Sequence, residues 1–285
     1  HLDRMSERER YRTLGGYYLL VSHNYEKAIE NYQSLVDQDP ADGGAYSNLG
    51  YAYHMVREFD RAVEAGRQSV ELDPGNLIKR INYAIYATYA GDFDTAIAES
   101  ETVFEQNPDF GYALFTLGRA AAAAGDSEAA RDAYARLTES GGMGSSLAPM
   151  GEADLEMYLG RSSNAISILE PAIATSDNPF QKAAMLVAVA EARLAQGQVE
   201  SAGDTAEEAL ALSRHDSIQY LTARILMASG RVETADELAL ELENKLQSQT
   251  TALSALIRGE RALDRGQLGT AMREFRFARE EYDLW

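Results

Sequence analysis

The sequence predicts an all-α protein, a solenoid of about eight stacked helix pairs, and three observations carry that expectation. Pro40, Pro74 and Pro108 fall 34 residues apart, each closing a similar phrase: Asp-Gln-Asp-Pro, Glu-Leu-Asp-Pro, Glu-Gln-Asn-Pro. Twelve residues before each proline stands an alanine (Ala28, Ala62, Ala96), and the series continues through Ala130, Ala165, Ala202, Ala235 and Ala271. Twelve residues before each of those alanines the position is always Gly or Ala: Gly16, Gly50, Ala84, Gly118, Ala153, Ala190, Ala223 and Gly259. A length of 285 residues would also allow two ordinary domains. The fixed period selects a repeat array instead.

Each period is a helix, a turn and a second helix. The small residue on the first helix lets the second cross closely, and the anchor alanine is the matching contact. The turn falls five residues before the anchor, at His23, Arg57, Gly91, Gly125, Gly160, Gly197, Gly230 and Gly266. Six of these eight are glycine, which suits a helix ending in a left-handed cap because glycine has no Cβ to clash. In the first three pairs the proline stops the second helix, since it cannot continue the hydrogen-bond ladder. The pairs begin near residues 9, 43, 77, 111, 146, 183, 216 and 252. Residues 1–144 therefore form four regular repeats and residues 145–285 four less regular ones, which lack the closing proline. Gly141–Ser146 is the expected flexible connector. The opening His-Leu-Asp-Arg and the absence of a polar capping helix before Trp285 suit a segment of a longer protein.

The pattern resembles the tetratricopeptide repeat. Repeat two matches it most fully, with Tyr46, Leu49, Gly50, Tyr53, Ala62 and Pro74 on signature positions. It departs at Gly66 and Ser69, where a bulky aromatic and a small apolar residue are usual. The resemblance covers about residues 9–285 and is strongest in repeats one to four. It implies a right-handed α-solenoid that binds proteins or peptides. A second resemblance rests on shorter phrases: Met5–Tyr11, Tyr17-Tyr18, Tyr25–Glu30 and Arg279–Trp285 are similar to stretches of repeat arrays in large bacterial signalling proteins. In those proteins a serine/threonine kinase often precedes the repeats, which implies a part of a bacterial regulatory protein whose catalysis lies elsewhere.

Composition narrows the function. The chain has no cysteine, which removes disulfides, Cys-ligated metals and thiol nucleophiles. Its net charge of −19 argues against nucleic acid as a partner. No apolar run is long enough to insert in a membrane. The cytoplasm is the default location, and an upstream membrane tether would place the array outside it. His23, His54 and His215 form no zinc spacing and are expected at the surface or in turns. Ser176-Asp177-Asn178 lacks the companion motifs of a serine hydrolase, and Gly141–Ser146 lacks the ending of a phosphate loop. No catalytic residue, metal ligand or cofactor is expected. The acids Asp92, Asp94, Glu99, Glu101, Glu105 and Asp109 suit a solvated outer helix, and the C-terminal arginines are offset by neighbouring acids.

In a helix-pair solenoid the first helices line the concave groove. Counting from each repeat start places Tyr17, Asn48, Tyr51, Asn82, Ile85, Tyr89, Phe115 and Arg119 on that face. Asn48 and Asn82 share one repeat position, and an asparagine amide can both donate to and accept from an extended peptide backbone, with Thr116 as a third rung. Tyr17, Asn48, Tyr51, Asn82 and Arg119 are expected to project into one cavity. The carboxylate clamp of chaperone-binding relatives needs Lys and Arg where this chain has Thr13, Ser47, Asn48, Ile78 and Asn82. Met150, Met157 and Met227 make the corresponding face of repeats five to eight more apolar. The expected function is protein or peptide binding in the groove of repeats one to four, with self-association as a homodimer the alternative.

Overall fold

The computed structural model describes residues 5–140 and 143–281. Among the described residues there are sixteen helices and no strands. The first eight are α1 (Glu7–Leu20), α2 (Tyr25–Gln38), α3 (Gly43–Met55), α4 (Phe59–Leu72), α5 (Leu77–Ala90), α6 (Phe93–Gln106), α7 (Gly111–Ala123) and α8 (Ser127–Glu139). The rest are α9 (Met143–Tyr158), α10 (Ser162–Thr175), α11 (Pro179–Ala195), α12 (Val199–Leu212), α13 (Asp216–Ala228), α14 (Val232–Glu243), α15 (Ser248–Asp264) and α16 (Leu268–Glu281). Two compact units meet within α9, the first ending at Leu147 and the second beginning at Ala148.

The anchor alanines behave as the period requires. Ala28, Ala62, Ala96, Ala130, Ala165, Ala202, Ala235 and Ala271 are all 0% exposed. At Gly118 a Cβ would stand 2.5 Å from the Tyr134 ring, so the second helix can cross there only against glycine. In the first pair the crossing ring, Tyr32, sits over Gly15 rather than Gly16.

All eight turn residues adopt the left-handed conformation, including the two that are not glycine, His23 at φ 52° and Arg57 at φ 62°. In the seven turns from Arg57 onward the closing bond runs from the residue after the turn to a carbonyl five residues back. Asp92 N–H donates to Ala87 O at 2.9 Å and Arg231 N–H to Leu226 O at 2.8 Å.

The helices α2, α4 and α6 end at Gln38, Leu72 and Gln106, two residues before Pro40, Pro74 and Pro108. Pro149 and Pro171 instead lie inside α9 and α10. The expected connector is shorter than the sequence suggests. Gly141 and Gly142 lie outside the described residues, while Gly144–Ser146 belong to α9. Gly144 is not there for flexibility. A side chain at that position would collide with the Ser140 hydroxyl and the Leu137 carbonyl.

Repeat two's departures from the family pattern have physical reasons. Gly66 leaves a space that the next pair fills: the Tyr86 ring of α5 lies 3.1 Å from a Cβ built at Gly66 and 3.0 Å from one built at Gly50. Ser69 is buried, and its hydroxyl donates to the Gly43 carbonyl at 2.8 Å, tying α4 to the start of α3. Side chains cap six helices of the first unit: Ser6, Asn24, Asp42, Asn76, Asp92 and Asp126 each accept the N–H three residues on. The outer-helix acids of α6 are only partly solvated as expected. Asp94, Glu101, Glu105 and Asp109 are exposed, but Glu99 is paired with Arg80 of α5.

Candidate peptide-binding face

In the first unit the odd-numbered helices of neighbouring pairs pack on one another, and each even-numbered helix packs on the odd ones beside it. The odd helices thus form one layer whose free side is the face the period assigns to a groove. A cavity of about 160 Å³ opens on α3, α5 and α7, lined by His54, Ile85, Thr88, Tyr89, Tyr112, Phe115, Thr116 and Arg119. Four of the eight expected site residues, Ile85, Tyr89, Phe115 and Arg119, come together there. Thr88 was missed, although its position on α5 is one of those the repeat turns toward this face.

The other four stand elsewhere, so of the five expected to share one cavity only Arg119 lines it. Tyr17 is half exposed and packs edge-on against Tyr18 at 5.5 Å. Asn48 donates its amide to the Tyr32 hydroxyl at 3.0 Å, which turns this rung inward. Asn82 is half-buried and makes no hydrogen bond among the described residues. Tyr51 is partly exposed. Thr116 is 5% exposed on the cavity floor and is not a third rung of a ladder. Ile81, one residue before Asn82 on α5, is a core residue packed with Ala84, Val103 and Ala113.

The aromatic walls are held from behind. Tyr89 stacks on Phe59 with centroids 5.5 Å apart and an interplanar angle of 24°. His54 is not a surface histidine; it sits against Phe59, Tyr86 and Tyr89 at 5.7, 5.2 and 4.9 Å. Burial holds its imidazole below the ordinary histidine range, and its Nδ1 has no partner. The Tyr86 hydroxyl is likewise buried without a partner. His23 and His215 do occupy turns, His215 capping α13.

Arg119 completes the site. Its guanidinium lies 5.7 Å from the Tyr89 ring and 5.9 Å from the Phe115 ring, and it donates to the Tyr89 hydroxyl at 3.2 Å. No carboxylate lines the cavity. The absence extends beyond the cavity: α3, α5 and α7 contain no Asp or Glu, in a chain that has 45, although α1 carries Glu7 and Glu9. The sequence carried this signal, which emerges once the three helices are taken together.

The second unit's odd helices differ. Met150 and Met157 pack against a core of Ala153, Ala165, Leu169, Met185 and Val189, so these methionines serve packing. Arg224 pairs with Glu260 at 3.0 Å and lies over Tyr220. The C-terminal arginines are also engaged, Arg258 with Glu243 and Glu274, and Arg261 with Asp236. Among the described residues no group of three or more His, Asp or Glu could hold a metal, and no helix is long and apolar enough to cross a membrane.

The helix-pair geometry is shared with solved structures. A tetratricopeptide repeat protein from Parabacteroides merdae has a TM-score of 0.58 at 17% identity, over 93% of this chain and 99% of that one. A MamA fragment from Desulfovibrio magneticus RS-1 has 0.51 at 14% identity, over 60% of this chain and 95% of that one. At these identities the likeness is one of fold. In sequence, 103 residues are 24% identical to human Superkiller complex protein 3, and they span 36% of this chain and 7% of that protein's length. A model described as tetratricopeptide repeat matches residues 13–76, 84–143 and 150–217, well over half the chain, including six of the eight left-handed turns described above. The chain belongs to the tetratricopeptide repeat family.

Proposed function

We propose that the chain is a non-catalytic interaction and scaffolding array that binds an extended peptide or protein segment on the free face of α3, α5 and α7. Tetratricopeptide repeat proteins typically mediate protein–protein interaction. The observation that carries the reading to this face is the cavity, where backed aromatic rings and an exposed guanidinium surround a space no side chain of the unit fills. Residues 1–144 act as the binding region and residues 145–285 as its less regular continuation. The phrases Met5–Tyr11 and Tyr25–Glu30 support a place in a larger bacterial regulatory protein such as a serine/threonine kinase, which would supply any catalysis. The test is selection of the whole chain against a random peptide display library. The double variant Tyr89→Ala, Phe115→Ala should lose all enrichment while keeping its helical circular dichroism. Unchanged enrichment by that variant would remove the site from this face.

Self-association is the second reading, favoured by Leu268 and Met272, which α16 exposes one turn apart. A light-scattering mass that stays monomeric across a concentration series would exclude it.

A further inference from the structure

The cavity has a size as well as a chemistry. Its volume of about 160 Å³ is close to the roughly 150 Å³ that admits a benzene ring in a protein interior. It therefore takes one aromatic or branched aliphatic side chain, not a helix face or a string of residues. Beside it stands a cation with unused capacity. Of the three cations on α3, α5 and α7 (histidine aside), Lys79 is paired with Asp73 at 3.1 Å and Arg80 with Glu99. Arg119 is exposed and in no ion pair among the described residues. A guanidinium offers five N–H donors in a planar fork, and Arg119 gives one hydrogen bond, to Tyr89.

Two features make a carboxylate the complement of that fork. The rings of Tyr89 and Phe115 flank the guanidinium and restrict its swing, so less rotamer freedom is lost when an acid pairs with it. The absence of Asp and Glu from α3, α5 and α7 also means that no acid of these three helices competes for Arg119. Elsewhere the chain's arginines commonly have acidic partners, as at Arg8, Arg61, Arg67 and Arg231.

Resting on the reading that this face binds an extended segment, we propose that its ligand is an acidic peptide. An aromatic or branched aliphatic side chain enters the cavity, and the side-chain carboxylate of an Asp or Glu nearby in sequence pairs with Arg119. The apolar anchor supplies most of the affinity, as buried anchors in pockets do. The rim carboxylate selects the sequence and its register.

The experiment uses the whole chain and synthetic eight-residue positional libraries, one arm with amidated and one with free C-termini. Wild type should select an aromatic or branched anchor with Asp or Glu at a fixed offset, in both arms. Arg119→Gln should keep the anchor and lose the acid preference, about fivefold in affinity for the best acidic peptide, the size expected of a rim ion pair. Acid preference that is absent in wild type, or retained in Arg119→Gln, overturns the inference and leaves the groove reading standing. Acid preference confined to free C-termini overturns it in favour of a terminal carboxylate. No selection at any position overturns both this inference and the groove reading.

Discussion

Helices α3, α5 and α7 of the first unit contain no carboxylate, whereas α9, α11, α13 and α15 of the second carry Glu152, Asp154, Glu156, Glu191, Asp216, Glu260 and Asp264. The second unit's odd-helix arginines meet acids of the same unit, as Arg224 meets Glu260 and Arg258 meets Glu274. The first unit leaves Arg119 open between two rings. The same helix-pair backbone thus supports two different surfaces. One has closed its electrostatics internally and offers a partner little that is new. The other has kept a cation, an amide and an apolar cavity unspent. Capping follows the same division: six first-unit helices have side-chain caps, while in the second unit Asn178 and His215 cap α11 and α13. Regular local stability in the first unit gives the proposed binding face a stiff support.

The largest test of this contrast concerns packing across pairs. Tyr86 is 2% exposed and covers both Gly50 and Gly66. Tyr86→Ala should cost about 3–5 kcal/mol in denaturant unfolding. Tyr86→Phe should cost nothing, because the hydroxyl it removes has no partner. A costly Tyr86→Phe would reveal a bond to that hydroxyl and weaken the account. A smaller effect is expected at the turns. Arg57→Gly relieves a left-handed non-glycine residue and should stabilise by about 1 kcal/mol, while Gly125→Ala should destabilise by a similar amount. Leu246, left-handed at φ 54° and highly exposed, should respond to glycine as Arg57 does, so this effect does not distinguish the units.

The smallest effect, in pH dependence, separates the units by sign. His54 in the first unit has its folded pKa depressed by burial, so the unfolded chain binds the proton more tightly. Its contribution is intact above the ordinary value of 6.5 and is lost as pH falls below it. Glu152 in the second unit has its folded pKa raised, by burial first and then by the charge of Glu156. Its contribution is present below the ordinary 4.5 and is lost as pH rises through the raised folded value. His54→Phe should therefore flatten the loss of stability on acidification from about pH 7.5 to about pH 5, and Glu152→Gln should raise stability near neutrality. Parallel pH profiles for wild type and His54→Phe would show that the imidazole is not desolvated.

The period, the anchor alanines and the turn positions were legible in the sequence because each depends on a local rule that recurs: a small residue where backbones cross, a residue tolerant of positive φ where the chain reverses. The exchange of bulk between Gly66 and Tyr86 was not, since it joins residues of different repeats and replaces a local rule by a three-dimensional one. The period placed turns at His23 and Arg57, but their side chains hid the left-handed conformation of both. Spacing placed eight residues on one face but could not show which of them converge, because convergence depends on how neighbouring odd helices lean together. Thus Ile85, Tyr89, Phe115 and Arg119 share a cavity, while Asn48 bonds to Tyr32.

Tyr86 also limits how such an array can change length. Repeat proteins grow and shrink by gaining or losing whole units, each interacting with its neighbours alone. Excising α5 and α6 here would bring Ala120 of α7 to the place Tyr86 holds, leaving the hollow above Gly50 and Gly66 unfilled. A duplication or deletion that separates the α3–α4 pair from the α5–α6 pair therefore costs more than one that moves them as a block.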